Sequence, residues 1–167
     1  MKTFRFGIVA VVAFALLGAW VLHSQSTVGE SGLTDALRDH VRAESFGPIA
    51  KVADLPAGVR AALSELFVGG TTLEMADPGM PFQATDVMVM PRLPARRLVS
   101  AGCSADHCLV YYERGGFAHV HQIVLLSKTD TSARLVHGGV AAGGLTDLGQ
   151  IKDALLAGKV MGGSKYW

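Results

Sequence analysis

Apolar residues recur along this chain at two periods, and the change of period divides it. Leu33, Leu37 and Val41 stand four apart, which places them on one face of a helix, with Thr34 or Ser31 as candidate caps. Val59, Leu63 and Phe67 repeat that spacing behind Pro56, a residue suited to the first turn of a helix, and Gly69-Gly70 marks its stop. Asp77-Pro78-Gly79-Met80-Pro81 reads as a loop. Beyond it, β-branched, aromatic and leucine residues gather in short runs over 85–90, 97–102, 109–113, 118–127 and 133–137, each predicted as a strand. Arg114-Gly115-Gly116-Phe117 predicts a tight hairpin turn, because glycine reaches positive φ without steric cost. If Gly115-Gly116 forms that turn, Tyr112 lies opposite His119 and Val110 opposite His121. The segment 128–132 is the next turn, and 148–156 closes the pattern as a helix with Gly158 as its stop. The expected fold is α+β, an antiparallel meander of about five strands flanked by N-terminal helices and a C-terminal helix.

The first two dozen residues change where this domain is expected to work. Lys2 and Arg5 precede an uncharged apolar run, 6–22, and His23-Ser24-Gln25-Ser26 offers cleavage after Ser24 or Ser26. A helix over that run spans roughly 26 Å at about 1.5 Å per residue, short of a bilayer core of ~30 Å. Residues 1–26 are therefore read as a signal peptide, with an N-terminal membrane anchor as the alternative, and 27–167 as a single periplasmic or secreted domain. The apolar run is followed by no cysteine within reach, which argues against a lipoprotein. Fifteen basic residues face fourteen acidic ones, and without Lys2 and Arg5 the balance is near −1. Such a chain is not expected to take nucleic acid as its partner, and a membrane enters only if the N-terminal segment stays attached. The sequence shows no internal repeat or low-complexity tract.

Export also bears on Cys103-Ser104-Ala105-Asp106-His107-Cys108, which holds both cysteines of the chain. Disulfides persist outside the cytoplasm, and two cysteines leave one intramolecular pairing. The expected product is a tied loop carrying Asp106 and His107 at the end of a strand, a shape suited to entering a partner's cleft. Imidazole offers two N–H donors when charged, and the neighbouring carboxylate favours that form. Closing the loop would lower the ordering cost of docking. The plainer alternative is a structural disulfide joining two strand ends, with His107 merely solvated. Four residues between the cysteines do not fit a thioredoxin-like redox motif. Ser100 and Ser104 lack a nucleophile elbow, and Gly138-Gly139 and Gly143-Gly144 read as turns rather than phosphate loops. His119, His121 and His137 are candidate ligands for zinc or copper if their strands align, or else part of a polar face. Tyr166 and Trp167 suggest a docked C-terminal tail.

Residues 82–160 carry a family resemblance. Gln83-Ala84-Thr85-Asp86-Val87, the strand ending Leu98-Val99-Ser100-Ala101-Gly102-Cys103, the strand Leu109-Val110-Tyr111-Tyr112-Glu113 and the late Ala154-Leu155-Leu156-Ala157-Gly158-Lys159-Val160 follow in an order that resembles the inhibitor-of-vertebrate-lysozyme family of periplasmic bacterial proteins. In that family the loop reads Cys-Lys-Pro-His-Asp-Cys and plugs the lysozyme cleft. Here its inner residues are Ser104, Ala105, Asp106 and His107, so acid and imidazole stand in swapped order and the Lys and Pro are missing. The resemblance implies a non-enzymatic inhibitor that needs no cofactor and occludes a lysozyme-like glycan hydrolase with the loop 103–108. Ser104, Ala105, Asp106 and His107 would make the contacts, and Tyr111, Tyr112 and Arg114 the rim. It also implies that a homodimer is compatible with the fold. The alternatives are an immunity-type protein against another cell-wall-degrading toxin, and a metal-binding protein using His119, His121 and His137.

Overall fold

The fold is built around a sheet that is covered on both faces. The computed structural model describes residues 32–68, 72–87 and 93–162. In chain order these form α1 (Asp35–Ala43), β1 (Gly47–Ile49), a 3-10 turn (Val52–Asp54), α2 (Ala57–Val68), β2 (Arg96–Cys103), β3 (His107–Arg114), β4 (Val120–Lys128), β5 (Ala133–Ala141) and α3 (Leu148–Leu156). The five strands form one antiparallel sheet in the order β1-β2-β3-β4-β5. The expected α+β class is the observed one. The apolar run 6–22, Ser31, Gly69-Gly70 and the aromatics at 166–167 lie outside the described residues. Among the described residues no helix is long and apolar enough to cross a membrane.

Helix α2 covers one face, where Val59, Leu63 and Phe67 pack on Leu98, Cys108, Val110, Tyr112, Val124 and Leu126. Helices α1 and α3 cover the other, where Val41, Ile151 and Leu155 pack on Leu109, Tyr111, Ile123 and Leu125. Alternate residues of β3 thus serve different layers, and seven successive positions of the strand are buried. Two-sided burial explains why 108–112 reads as a continuous apolar run rather than an alternation.

Local signals placed the helices well. Thr34 caps α1, its Oγ1 accepting from Leu37 N–H, and the Pro56 carbonyl accepts from Arg60 N–H at the start of α2. Gly158 ends the α3 segment at φ 69°. Lys152 Nζ donates to the carbonyls of Arg42 and Glu44, and the Arg38 guanidinium donates to the Leu156 carbonyl, so α1 and α3 are tied together.

Four expectations need correction. The run 85–90 is not a strand at Thr85–Val87, where Gln83 Nε2 donates to both the Thr85 and Val87 carbonyls and curls the segment; 88–90 lie outside the described residues. The fifth strand is β1 instead, a short edge segment whose Pro48 can sit there because an edge need not donate every N–H. Gly138-Gly139 is no turn but lies within β5, and Gly139 lets the Met161 carbonyl approach the strand where a Cβ would collide with it. The β3–β4 loop is longer than a two-glycine turn. Arg114 pairs with Val120, so Tyr112 faces Gln122, Val110 faces Val124, and His121 faces Glu113.

Candidate functional site

Two clusters of titratable side chains sit at opposite ends of β3, on the sheet face that α1 and α3 cover between them. The first surrounds the disulfide. Cys103 and Cys108 are cross-strand partners, bonded to each other with their Cα atoms 4.1 Å apart. Between them Ser104 N–H donates to the His107 carbonyl at 2.8 Å, and His107 N–H donates to Ser104 Oγ at 2.9 Å. The Asp106 carbonyl accepts from Lys128 N–H at 2.8 Å. The expected loop is therefore a tight turn, fastened on its own strands and on the end of β4. Only Ala105 and Asp106 stand exposed on it.

His107 does not point outward. It is 6 % exposed, and its Nδ1 lies 3.0 Å from both carboxylate oxygens of Glu44, the residue that ends α1. The same carboxylate accepts from Ser104 Oγ at 3.0 Å. The imidazole that does reach solvent is His40, one helical turn before Glu44. Its Nε2 lies 3.4 Å from Glu44 Oε1 and 3.1 Å from Asp106 Oδ2. The His40 and His107 rings meet edge to face at 5.4 Å. An acid and an imidazole do stand together at the turn, but the exposed pair is Asp106 with His40. The i, i+4 spacing of His40 and Glu44 put them on one helix face from the outset, yet nothing local placed that face against residues 104–107.

The expected rim is not at the turn. Tyr111 and Tyr112 are fully buried, on opposite faces of the sheet. Tyr111 Oη donates to the Ala142 carbonyl at 2.8 Å, and burial raises its phenol above the ordinary value. Tyr112 packs on Phe67 at 5.1 Å, and burial raises its phenol further, with Arg96 and Arg114 pulling the other way. Arg114 is half-buried at the far end of β3.

That far end holds the second cluster. Glu113 accepts from Arg97 at 2.8 Å on one oxygen and lies 2.8 Å from His119 Nε2 on the other. His121 stacks between Tyr111 and His119, at 5.6 and 5.3 Å, and Phe82 flanks both His119 and the Arg97 guanidinium. Burial pushes the Glu113 carboxyl up, but the hydrogen bonds from Arg97 and His119 and the nearby positive charges outweigh it and hold it below its ordinary value. Burial lowers His121 despite the pull of Glu113. Phe117, at the tip of this loop, is 98 % exposed. His119 and His121 do come together, but with Glu113 rather than with His137. His137 pairs with Leu125 while His121 pairs with Ala141, a separation of ~13 Å along the strand. The His-x-His alternation was legible in the sequence; Glu113 as their partner depended on the hairpin register.

Away from both clusters, Ala62, Glu65, Leu66, Ala133, Arg134 and Leu135 line a depression of about 430 Å³ between α2 and β5. No family model, curated protein or solved structure matches this chain.

Proposed function

We propose that this chain is an exported binding protein, not an enzyme, that occludes the active site of a lysozyme-like glycan hydrolase with the disulfide-closed turn at 103–108. The observation that carries the reading is the way this turn is held. The disulfide, the Ser104–His107 hydrogen bonds and the Lys128–Asp106 bond fix it before any partner arrives. A recognition element fixed in advance avoids the ordering cost that a free loop would meet on docking. The contacting groups in this reading are Ala105, Asp106 and His40, whose side chain is 50 % exposed. A hydrolase cleft of this class holds one protonated and one ionised carboxyl group. An imidazole N–H can donate to the ionised group, and the Asp106 carboxylate can accept from the protonated one. His107, Glu44 and Ser104 act behind them as positioning residues.

The test is inhibition of a C-type lysozyme by the oxidised chain, beside Asp106→Ala and His40→Ala. The expected result is inhibition that weakens at least about tenfold in either variant, the scale of an interfacial contact worth more than ~1 kcal/mol. Inhibition that survives both changes, or that never occurs at micromolar protein, overturns the reading.

One observation favours a second reading. Phe117 stands 98 % exposed in the loop that also carries His119, and aromatic side chains are enriched at protein–protein interfaces. An immunity-type protein would use this end against a different wall-degrading enzyme. Screening wall hydrolases with Phe117→Ser separates the two, because only this reading makes inhibition depend on Phe117.

A further inference from the structure

We propose that Glu44, His107 and His40, completed by Asp106, form a binding site for a divalent transition-metal ion of the zinc type. One ligand atom from each of Glu44, His107 and His40 lies within 4.8 Å of the other two. An ion bound tetrahedrally at about 2.1 Å from its ligands holds them ~3.4 Å apart. The Glu44–His107 separation is 3.0 Å, the Glu44–His40 separation 3.4 Å and the His40–Asp106 separation 3.1 Å. These three separations, running from His107 through Glu44 and His40 to Asp106, are within a few tenths of an ångström of the required length, and Asp106, which lies outside the 4.8 Å group, swings inward to complete the site. The remaining adjustment falls mainly on His40 and Asp106, the two exposed and least confined side chains of the four.

The framework supplies what a metal site needs. His40 projects from the last turns of α1 and Glu44 from the residue that caps it, and Asp106 and His107 belong to a turn that the disulfide closes. Ser104 Oγ donates to Glu44 Oε1, an outer-shell bond that orients a ligating carboxylate. Two imidazoles with two carboxylates suit a borderline ion such as zinc, cobalt or copper, and two negative charges balance a divalent cation. Charge is also what separates this cluster from Glu113, His119 and His121, whose ligand atoms are equally close. There the Arg97 guanidinium already lies 2.8 Å from the carboxylate and opposes a cation. Around Glu44 and Asp106 the side-chain ion pairs among the described residues are with imidazoles, and Lys152 Nζ meets Glu44 at its main-chain carbonyl instead. The site stands or falls independently of any hydrolase partner.

The experiment is a titration of the full-length, disulfide-bonded chain with Co²⁺, followed by its visible ligand-field absorption, then displacement by Zn²⁺. The expected result is a saturable tetrahedral-type spectrum that Zn²⁺ abolishes. Loss of one ligand should weaken Co²⁺ binding by at least about 10–100-fold in His40→Ala and Glu44→Gln, judged against the cost of losing even an outer-shell partner. His40 is half exposed, so its replacement keeps the test valid where the buried His107→Ala fails to fold. Glu113→Gln and His119→Ala should leave the spectrum unchanged. Absence of a saturable spectrum, or a spectrum that survives His40→Ala and Glu44→Gln but is lost in His119→Ala, overturns the assignment.

Discussion

Reducing the Cys103–Cys108 disulfide should lower stability measurably without dismantling the fold. The bond closes a short loop, with a sequence separation of 5. On the chain-entropy relation, releasing a loop of this size gives back about 2 kcal/mol to the unfolded chain. The native turn has other ties that reduction leaves intact, namely the Ser104–His107 and Lys128–Asp106 hydrogen bonds and the β2–β3 ladder. The folded structure should therefore persist, and the effect should appear in the unfolding equilibrium. In a Cys103→Ala/Cys108→Ala variant the loss should be larger by about 1 kcal/mol, because Cys108 is fully buried in the layer beneath α2 and its sulfur leaves a small void. The assay is urea unfolding of the oxidised chain, the reduced chain and the double variant. With slopes of ~1–3 kcal/mol per molar urea, a loss of this size moves the midpoint by about 1 M. Coincident oxidised and reduced curves would falsify the entropic argument. Loss of the cooperative transition on reduction would refute the other half, that hydrogen bonds and packing hold the turn without the bond.

Gly58→Ala in α2 should destabilise by ~1–3 kcal/mol, although the same change at an exposed helical site usually stabilises, because a Cβ there would fall 2.7 Å from the backbone of Ser132; a thermal melt that rises would contradict the close approach. Tyr112→Phe should be neutral or stabilising by up to about 1 kcal/mol, since the fully buried Tyr112 hydroxyl finds no hydrogen-bond partner among the described residues; a marked loss in chemical denaturation would reveal a partner for that hydroxyl. His137 is held below its ordinary value first by burial and then by Arg38. Its contribution is thus present above the unfolded-state value of about 6.5 and is lost as pH falls through the lower folded value. His121 is lowered in the same direction and adds to the slope. Unfolding midpoints should fall between pH 7.5 and about 5.5, less steeply in His137→Gln, and equal slopes in the two proteins would remove His137 from the account.

Features governed by neighbours in the chain could be read directly. The helices over 35–43, 57–68 and 148–156 follow from apolar spacing, caps and a glycine stop, each acting within a turn or two of helix. The cysteine pairing follows from the count, and the strands near 97–102, 109–113, 118–127 and 133–137 from their β-branched and aromatic content. The α+β class needs no more than that order of elements. Long-range geometry decided the rest. Strand β1 exists because the β2 edge offers it partners, and no pattern within Gly47-Pro48-Ile49 announces it. The loop over 115–119 set the β3–β4 register and thereby brought Glu113, rather than Val110, opposite His121. Burial on both faces carried Tyr111 and Tyr112 inward and removed them from any rim. The packing of α1 over the disulfide turn sent His107 to Glu44 and left His40 in its place beside Asp106. The sequence alone determined which side chains with useful chemistry the domain carries and in which elements. Only the folded sheet decided which of them meet and which face solvent, because those contacts join residues distant in the chain and no local preference encodes them.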